Sequence, residues 1–427
     1  MKVQKSINRN VFIHIKINIF MDVLSKIKPG RKEEAFVRKE ARKFISRINK
    51  KLKNAKAVIG GSFEKNTWLS GKYDIDIFVK FNYKKYREKD ISKELEHALK
   101  YFKKTKIHGS RDYFQIKHGK LNLEIVPVLD VKNYRQALNV TDVSPLHSKF
   151  VKQNSNKKIQ DEIRITKQFL KANNIYGAES YIRGLSGYLV ELLLIYYKSF
   201  NSLIKNAAKW PDSLVIDIKK HYKNKEDATR NINWAKRGPL IMIDPVQKNR
   251  NVAAALSKEK YENLKQIAKD YLENPNDGFF FEKKFDLNAL KGYIVLRIMP
   301  KPGKRDIVGA KLLKLFEYIK NKTKEEGFEL TDHGWHFNKI SYFWFKTEKE
   351  EIDLVRKHYG PFVDDFKNLK NFKKKWKGYK VYKEKNKTYI LVERKFPRIR
   401  YFLKNLIKEK DIKENVKKIE IFRWKYL

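Results

Sequence analysis

Two aspartates placed two residues apart are the first feature of this 427-residue chain that could carry chemistry. Asp74 and Asp76 alternate with apolar residues in the run Asp-Ile-Asp-Ile-Phe-Val, which is the pattern of a half-buried β-strand. Residues two apart on a strand point to the same side, so the two carboxylates share one face with Cα atoms roughly 7 Å apart. Carboxylates this close raise each other's pKa unless a cation lies between them. We predict Mg²⁺, because this hard ion prefers oxygen ligands and shares them with substrate phosphates.

A glycine turn stands directly upstream of the aspartates. Gly60 and Gly61 permit a tight turn, and Ser62 offers a hydroxyl and an amide at the start of a short predicted helix. That arrangement suits an anion such as a phosphate group. We therefore predict that a phosphate site and a metal site share one βαβ-like corner. The P-loop signature is absent, because Gly71-Lys72 lacks the upstream glycine and is followed by a tyrosine.

Neither motif is specific by itself, since most Asp-x-Asp pairs are solvated carboxylates and short Gly-Ser turns are common. Together they resemble the nucleotidyltransferase superfamily typified by DNA polymerase β. The run Gly61-Ser62-Phe63-Glu64-Lys65-Asn66-Thr67-Trp68-Leu69, followed by Asp74-Ile75-Asp76, more narrowly resembles the archaeal class of CCA-adding enzymes. Those enzymes add C, C and A stepwise to the 3′ end of tRNA from CTP and ATP without a nucleic-acid template.

The resemblance implies a two-metal nucleotidyl transfer, which requires a third carboxylate on a neighbouring strand. Glu124 stands just ahead of Val-Pro, where the family has an aspartate. From the residues alone Glu124 would be a surface residue of an edge strand, and Asp112 and Asp130 stay open as substitutes. The catalytic and metal-binding residues implied by the resemblance are Asp74, Asp76 and Glu124.

Further blocks extend the resemblance to about residue 275. They are Ser144-Pro-Leu-His147, the run from Lys167 to Glu179, Arg183-Gly-Leu-Ser-Gly-Tyr188, and Asp244-Pro-Val with Arg250-Asn-Val-Ala-Ala. The implied triphosphate contacts are Ser62, Lys65, Lys167 and Tyr176, and the implied contacts to the rest of the nucleotide are Ser144 and His147. Arg250 is expected to read the base, and its alternative is a loop arginine that binds the tRNA backbone.

The elements that must position these residues follow from periodicity. An apolar stripe from Phe36 to Ile48 predicts a helix, and strands are predicted at residues 57–59, 73–79, 111–117 and 121–128, with a basic helix at 91–103. Helices are predicted at 159–173 and 188–197, and residues 222–236 are expected to form a solvated loop. Beyond residue 278 strand and helix segments alternate, at 293–298, 307–323, 334–337, 341–345, 379–382, 389–394 and 401–408.

The predicted fold class is α+β and multidomain. A polymerase-β-like nucleotidyltransferase catalytic domain, with a mixed sheet and helices, is expected at 21–142. A helical central nucleotide-binding domain is expected at 143–275, and an α+β C-terminal RNA-binding body and tail at 276–427. Residues 11–20 alternate like a strand, and we interpret residues 1–20 as an N-terminal extension or the product of a misplaced start codon.

The composition favours a polyanionic partner. Lys and Arg exceed Asp and Glu by a formal net charge of +48, which points to nucleic acid and, with the resemblance, to the acceptor end of tRNA. The absence of cysteine excludes disulfides, zinc fingers and thiol catalysis and favours a cytoplasmic protein. No uninterrupted apolar run reaches membrane-spanning length, so no membrane partner is expected.

Two rival functions stay open at this stage. A poly(A) polymerase or another RNA terminal nucleotidyltransferase would use the same carboxylates. An RNA-binding protein with a silent nucleotidyltransferase domain is the non-enzymatic alternative, although the presence of Ser62, Asp74 and Asp76 speaks against silence. The sequence leaves open whether the protein is a monomer or a homodimer.

Overall fold

The computed structural model describes residues 18–282 and 284–424, and the chain forms two compact units that divide after residue 283. The expected N-terminal extension lies outside the described residues as far as residue 17. Residues 18–20, which were expected to be strand-like, begin a helix that continues to residue 27. We call this helix α1.

The first unit contains a mixed sheet followed by a mainly helical part. The elements of its sheet part are α2 (Arg31–Asn49), β1 (Ala55–Ile59), α3 (Gly61–Glu64), β2 (Asp74–Asn82), α4 (Tyr83–Tyr86), α5 (Ile91–Ala98), β3 (Thr105–Ile107), β4 (Tyr113–His118) and β5 (Leu121–Asp130). The helical part comprises α6 (Ser144–Asn154), α7 (Lys157–Ala172), α8 (Gly187–Tyr197), α9 (Phe200–Ala207), β6 (Leu214–Ile216), α10 (Lys225–Arg230), β7 (Leu240–Met242) and α11 (Lys258–Glu273). Short 3₁₀ turns lie at Tyr134–Gln136, Val140–Val143, Trp234–Lys236 and Asp277–Phe280.

The five-stranded sheet has the order β1-β2-β5-β4-β3, in which β2 and β5 run parallel and the other pairs run antiparallel. One face is apolar and packs against the buried side of α2, where Phe44 is fully enclosed. Alternate residues of the two central strands, such as Ile77 and Ile125, enter this core. The period-2 pattern that predicted β2 and β5 therefore separates a core face from a polar face, and the aspartates lie on the polar one.

The predicted βαβ-like corner is wrong, because β1 and β2 pair antiparallel. The helix between them, α3, has four residues, whereas a parallel crossover needs a dozen or more. The basic helix is also shorter than expected, since α5 ends at Ala98, and strand β3 was not predicted. Glu124 lies on β5, between β2 and β4, so it is not on an edge strand.

Helix α8 forms the centre of the helical part, and its prediction as a buried helix is confirmed. Its residues 189–195 are buried and, apart from one glutamate, apolar, which suits a helix that packs against α6, α7 and α9. Its interior charge, Glu191, is fully buried. The loop expected at residues 222–236 instead contains α10, whose Ala228 is buried together with Ile232 of the following turn.

The second unit has two antiparallel sheets. Its elements are β8 (Ile294–Pro300), α12 (Arg305–Glu326), β9 (Leu330–His336), β10 (Ser341–Thr347), β11 (Val355–Phe362), α13 (Phe366–Lys375), β12 (Val381–Glu384), β13 (Lys387–Glu393), α14 (Ile399–Leu406), α15 (Lys410–Asn415) and β14 (Val416–Ile421), with a 3₁₀ turn at Asn288–Leu290. The first sheet has the order β14-β8-β10-β9 and packs against α12 and α14, and the second has the order β11-β13-β12 and packs against α13. Among these, β11, α13, α15 and β14 were not predicted.

Within the described parts of the chain, none of the helices has the length and apolarity that a bilayer crossing requires.

The turn after β1 gives a test of how tightly the sheet's polar face is packed. Gly61 and Gly71 both adopt a left-handed conformation, with φ of +58° and +71°. A Cβ on Gly61 would overlap the Asp76 carboxylate, whereas a Cβ on Gly71 would meet nothing within 4 Å. We therefore expect Gly71→Ala to cost roughly 1 kcal/mol of backbone strain, and Gly61→Ala to cost roughly 1–3 kcal/mol more. Urea unfolding of both variants measures the difference, and equal costs would contradict this packing.

Candidate active site

The polar face of the first sheet brings Asp74, Asp76 and Glu124 onto adjacent strands. In the parallel β2–β5 pair, Asp76 lies opposite Glu124 and Asp74 lies opposite Asn122. Adjacent strands are roughly 4.8 Å apart, so the side chains of Asp76 and Glu124 start as immediate neighbours. The shared face predicted for Asp74 and Asp76 is present, and Glu124 joins it from the next strand.

Two amides orient the outer carboxylates. Asn122 Nδ2 donates to Asp74 Oδ1 at 3.0 Å, and Gln115 Nε2 on β4 donates to Glu124 Oε1 at 2.8 Å. These hydrogen bonds come from the same sheet that positions the acids, so each carboxylate is held by a rigid neighbour.

Among the three carboxylates, the central one, Asp76, has a raised pKa. Burial, followed by the negative charge of Glu124 and that of Asp74, raises the pKa of Asp76 to about 6, while the ammonium of Lys65 opposes the rise. A carboxyl whose pKa is raised by burial and by like charges carries negative charge that the protein only partly neutralises.

The two substitutes considered for the third acid lie elsewhere. Asp112 is close to His108 Nδ1 at 3.0 Å and to Lys106 Nζ at 3.5 Å. Asp130 forms an ion pair with Lys80 at 2.6 Å and lies six residues beyond Glu124 on β5, which is roughly 20 Å along the strand. The acid that the fold brings beside Asp76 is therefore Glu124.

The carboxylates fit a divalent cation in chemistry but do not enclose one. Among the residues that the structure describes, no group of three or more His, Asp or Glu side chains is close enough to form a complete cation site. An open set of two or three carboxylates is what Mg²⁺ accepts when substrate phosphates supply further oxygens. The charge accumulated at Asp76 supports this fit, because a cation would relieve it.

The Gly60–Ser62 turn lies directly against the carboxylates. The Gly60 amide donates to the Asp76 carbonyl at 2.8 Å, which places Gly61 over the Asp76 side chain. Ser62 is half-buried at the start of α3. Because α3 is only one turn long, its dipole is small, and a phosphate here would depend mainly on individual amides, the serine hydroxyl and nearby cations.

Lys65 and Lys167 meet at a buried glutamate that the sequence analysis did not assign to the site. Lys65 Nζ lies 2.6 Å from Glu191 Oε2, and Lys167 Nζ lies 3.3 Å from Glu191 Oε1. Although burial would raise it, the two ammonium groups lower the pKa of Glu191. Burial and the charge of Lys65 lower the pKa of Lys167 to about 8, against the opposing effect of Glu191. The only advance signal of Glu191 was one acid inside an apolar helix.

Tyr176 follows α7 in the chain, and its hydroxyl lies beside Gly187 at the start of α8. A Cβ on Gly187 would come within 2.9 Å of its hydroxyl, and Lys171 Nζ is 5.1 Å from its ring centre. Burial, and then the charges of Glu191 and Glu179, raise the pKa of Tyr176. Its hydroxyl is therefore a neutral hydrogen-bonding group throughout the physiological range.

A second cluster surrounds Asp244, which is fully buried and was quoted only as part of a motif. Arg250 Nη1 donates to Asp244 Oδ2 at 2.7 Å, His147 Nε2 lies 2.9 Å from the same oxygen, and the Tyr188 hydroxyl donates to Oδ1 at 3.2 Å. The rings of His147 and Tyr188 are stacked with centres 4.4 Å apart. Although burial opposes it, His147 and Arg250 lower the pKa of Asp244 to about 2.

A cleft of about 380 Å³ connects the carboxylates with this second cluster. Its lining includes the predicted residues Lys65, Asp76, Glu124, Ser144 and His147, together with Gly61, Arg111 and Tyr188. Five predicted residues are outside this lining: Asp74, Ser62, Lys167, Tyr176 and Arg250. Ser62 follows Gly61 in the chain, and Arg250 shares the Asp244 carboxylate with His147. Five of the ten predicted residues thus line one cleft, and Lys167 is buried outside that lining.

Family models match three parts of the chain. Residues 38–138 match a nucleotidyltransferase domain, residues 161–281 match the second domain of tRNA nucleotidyltransferase, and residues 298–422 match the C-terminal domain of CCA-adding enzyme. The predicted class of the first domain, a nucleotidyltransferase fold built on a mixed sheet, is confirmed by the first of these matches and by the sheet itself.

Curated relatives are similar over most of the length. The chain is 38% identical to the CCA-adding enzyme of Nanoarchaeum equitans over 371 residues, which are 86% of this chain and 91% of that one. It is 31% identical to the CCA-adding enzyme of Sulfurisphaera tokodaii over 357 residues, 82% of this chain and 83% of that one. Among solved structures, a cytoplasmic RNA terminal U-transferase aligns with a TM-score of 0.49 and 16% identity, over 63% of this chain and 98% of that one.

The electrostatic strain at Asp76 predicts a stabilising substitution. Its pKa of about 6 lies above the ordinary 3.8, so in the folded protein its ionisation above pH 6 costs free energy. Without divalent cations, we expect Asp76→Asn to raise the free energy of unfolding at pH 7.5 by roughly 1–3 kcal/mol. The gain should vanish below about pH 3.8, where the carboxyl is protonated in both states.

Urea unfolding in EDTA at pH 7.5 and pH 3.5 measures this gain. Asp112→Asn is the matched control, because His108 and Lys106 lower the pKa of Asp112 against the effect of burial. Neutralising Asp112 should therefore lower the stability at pH 7.5. A loss of stability in Asp76→Asn at pH 7.5 would contradict the assignment of repulsion to Asp76.

Proposed function

The chain belongs to the family of CCA-adding enzymes, and we propose that it extends the 3′ end of tRNA by C, C and A, using CTP and ATP and no nucleic-acid template. The observation that carries the proposal is the register of the first sheet, in which Asp76 and Glu124 face each other beneath the Gly61 turn. Carboxylates paired in this way, in a cleft that Lys65 and Arg111 also line, suit the transfer of a nucleotide from a triphosphate.

The reaction itself is an in-line displacement. The 3′-hydroxyl of the tRNA attacks the α-phosphorus of the incoming nucleotide, a phosphodiester bond forms, and the bond to pyrophosphate breaks. A divalent cation, proposed to be Mg²⁺ and held by Asp74, Asp76 and Glu124, would make the attacking hydroxyl more acidic and neutralise triphosphate charge. Asn122 and Gln115 keep the outer two carboxylates oriented for this task.

The other predicted residues have proposed roles around the nucleotide. The triphosphate is proposed to be bound or neutralised by four residues: Ser62, Lys65, Lys167 and Tyr176. The two ammonium groups close to Glu191 agree with this role. Ser144 and His147 are proposed to contact the ribose or base from α6. Arg250 is proposed to read the base, and this is supported by its hydrogen bond to Asp244, which fixes the orientation of the guanidinium.

The second unit supplies the proposed tRNA surface. Helix α13 carries five lysines in its ten residues and buries none of its side chains in the core, which suits a surface that follows phosphates. We propose catalytic, central and tRNA-binding domains at residues 21–142, 143–275 and 276–427, and the cytoplasm as the place of action.

The proposal is tested by product length. Purified protein is given a tRNA that lacks its last three nucleotides, with CTP alone, ATP alone, or both. We expect additions of two nucleotides with CTP and three with both, and none with ATP alone. Long adenylate tails would instead indicate a poly(A) polymerase, and tRNA binding without any addition would indicate a silent RNA-binding protein.

Glu124 should be required for the chemical step. Glu124→Gln keeps the length of the side chain and can still accept from Gln115, but it removes the charge beside Asp76. We expect single-turnover rates to fall at least roughly 100-fold, as when a single charge-stabilising group is lost, with little change in CTP affinity. Asp112→Asn and Asp130→Asn are the matched variants and should keep near-normal rates. A near-normal rate in Glu124→Gln would reject it as the third acid.

Arg250 should determine which base is accepted. Its planar guanidinium can form two parallel hydrogen bonds to a base edge, and lysine cannot reproduce that geometry. We expect Arg250→Lys to reduce the CTP-over-UTP preference at least roughly tenfold, since a good bidentate contact discriminates by about 1–3 kcal/mol. Competition assays on the same tRNA measure the preference. Uniformly weaker tRNA binding with an unchanged preference would show that Arg250 binds the tRNA backbone.

A further inference from the structure

Glu191 divides its two oxygens between two lysines from different parts of the chain. Oε2 accepts from Lys65 Nζ at 2.6 Å, and Oε1 accepts from the Thr67 hydroxyl at 2.8 Å while lying 3.3 Å from Lys167 Nζ. Lys65 and Thr67 follow the Gly61 turn, whereas Lys167 comes from α7. One buried carboxylate therefore faces two ammonium groups, which leaves a net positive charge behind the cleft wall.

The two lysines differ in how many donors they have left. A lysine ammonium has three N–H groups. Lys167 Nζ is within 3.3 Å of three acceptors, namely the Thr67 carbonyl, the Thr67 hydroxyl and Glu191. In the part of the chain that the structure describes, the hydrogen bond of Lys65 Nζ is to Glu191, and Lys65 also lines the cleft with Asp76 and Glu124. Lys65 can therefore direct N–H groups into the cleft, while those of Lys167 are occupied.

A lysine side chain without such a contact would bind a phosphate group less well. Its four-carbon stem is flexible, so ordering it on a phosphate costs conformational entropy when the nucleotide arrives. The hydrogen bond to Glu191, which lies on the buried helix α8, orders the stem of Lys65 in advance. A binding group held in its bound conformation gains affinity by avoiding that cost.

From this geometry we infer that Glu191 is a positioning residue for the triphosphate. It fixes the Lys65 ammonium at the cleft wall, and it holds Lys167 behind as a second, indirect positive charge. The inference rests on the proposed function for the identity of the ligand as a nucleoside triphosphate. The binding of inorganic tripolyphosphate, which carries the same charge without a base or ribose, tests it independently of CCA addition.

A purely structural role for Glu191 is the alternative, because the same contacts fasten the segment Lys65–Thr67 to α8. Glu162 supplies the matched control. It is a buried glutamate of α7 whose Oε2 accepts a hydrogen bond from the Phe200 amide at 2.8 Å. Glu191→Gln and Glu162→Gln thus each remove one buried charge from the same helical part, and only the first of them removes it from the lysine pair.

The experiment measures the tripolyphosphate Kd by calorimetry, the KM and kcat for CTP and ATP, and urea unfolding. For Glu191→Gln we expect the Kd and both KM values to rise at least roughly tenfold, with kcat and the KM for tRNA changing less than about threefold, since a charge-assisted hydrogen bond is involved. For Glu162→Gln we expect unchanged Kd and KM values. Glu191→Asp, which keeps the charge, should recover part of the affinity.

The double variant Lys65→Met with Glu191→Gln separates the two roles. If Glu191 acts through Lys65, the double variant binds tripolyphosphate no more weakly than Lys65→Met alone. Additive losses, an unchanged Kd in Glu191→Gln, or an equal loss in Glu162→Gln would each overturn the inference.

If Glu191→Gln does not fold, the comparison of Lys65→Met with the wild type decides. A Kd that does not rise would show that Lys65 presents nothing to phosphate, and this would also overturn the inference. A wild type that binds tripolyphosphate through Lys65 and Glu191 but adds no CCA would reject the proposed function and leave the role of Glu191 standing.

Discussion

Repulsion among Asp74, Asp76 and Glu124 is the constraint on which the arrangement of the first unit depends. The parallel pairing of β2 and β5 places Asp76 and Glu124 opposite each other, and burial then makes the charge of Asp76 costly. Neighbouring amides and Lys65 offset only part of this cost. Gly61 follows from the same constraint, because a side chain there would occupy the space of the Asp76 carboxylate. A divalent cation that binds together with substrate phosphates can neutralise the negative charge that the protein leaves uncompensated.

The turn that covers these carboxylates is held by buried charges from the helical part. Arg164 of α7, which is fully buried, donates to the Trp68 carbonyl at 3.0 Å and to the Asn66 carbonyl at 2.7 Å. Lys167 and Glu191 bind Thr67 between those two residues. The contacts of Glu191 with Lys65 and Thr67 thus both dock this segment onto α8 and hold a positive charge at the cleft. Substitutions here will change stability and nucleotide binding together, which is why matched controls are needed.

Local pattern predicted the elements whose packing is simple. Alternation gave β2 and β5, the stripe from Phe36 to Ile48 gave most of α2, and the apolar run gave α8. Prediction failed where lysines interrupt the period, as in β11 and α13, and where topology was inferred from a turn, as in the βαβ-like corner. Alternation cannot show whether two consecutive strands run parallel or antiparallel, since both arrangements bury the same residues.

By itself the sequence determined that Asp74 and Asp76 share a face and that a glycine turn precedes them, because these are consequences of strand period and of glycine's conformational freedom. Only the tertiary structure decided that Glu124, and neither Asp112 nor Asp130, stands beside Asp76, since that depends on register between strands almost fifty residues apart. It also decided that Lys65 meets Glu191 across 126 positions. A buried charge needs an opposite charge nearby in the folded chain, and that partner can be distant in sequence. Sequence spacing alone therefore does not identify the partner.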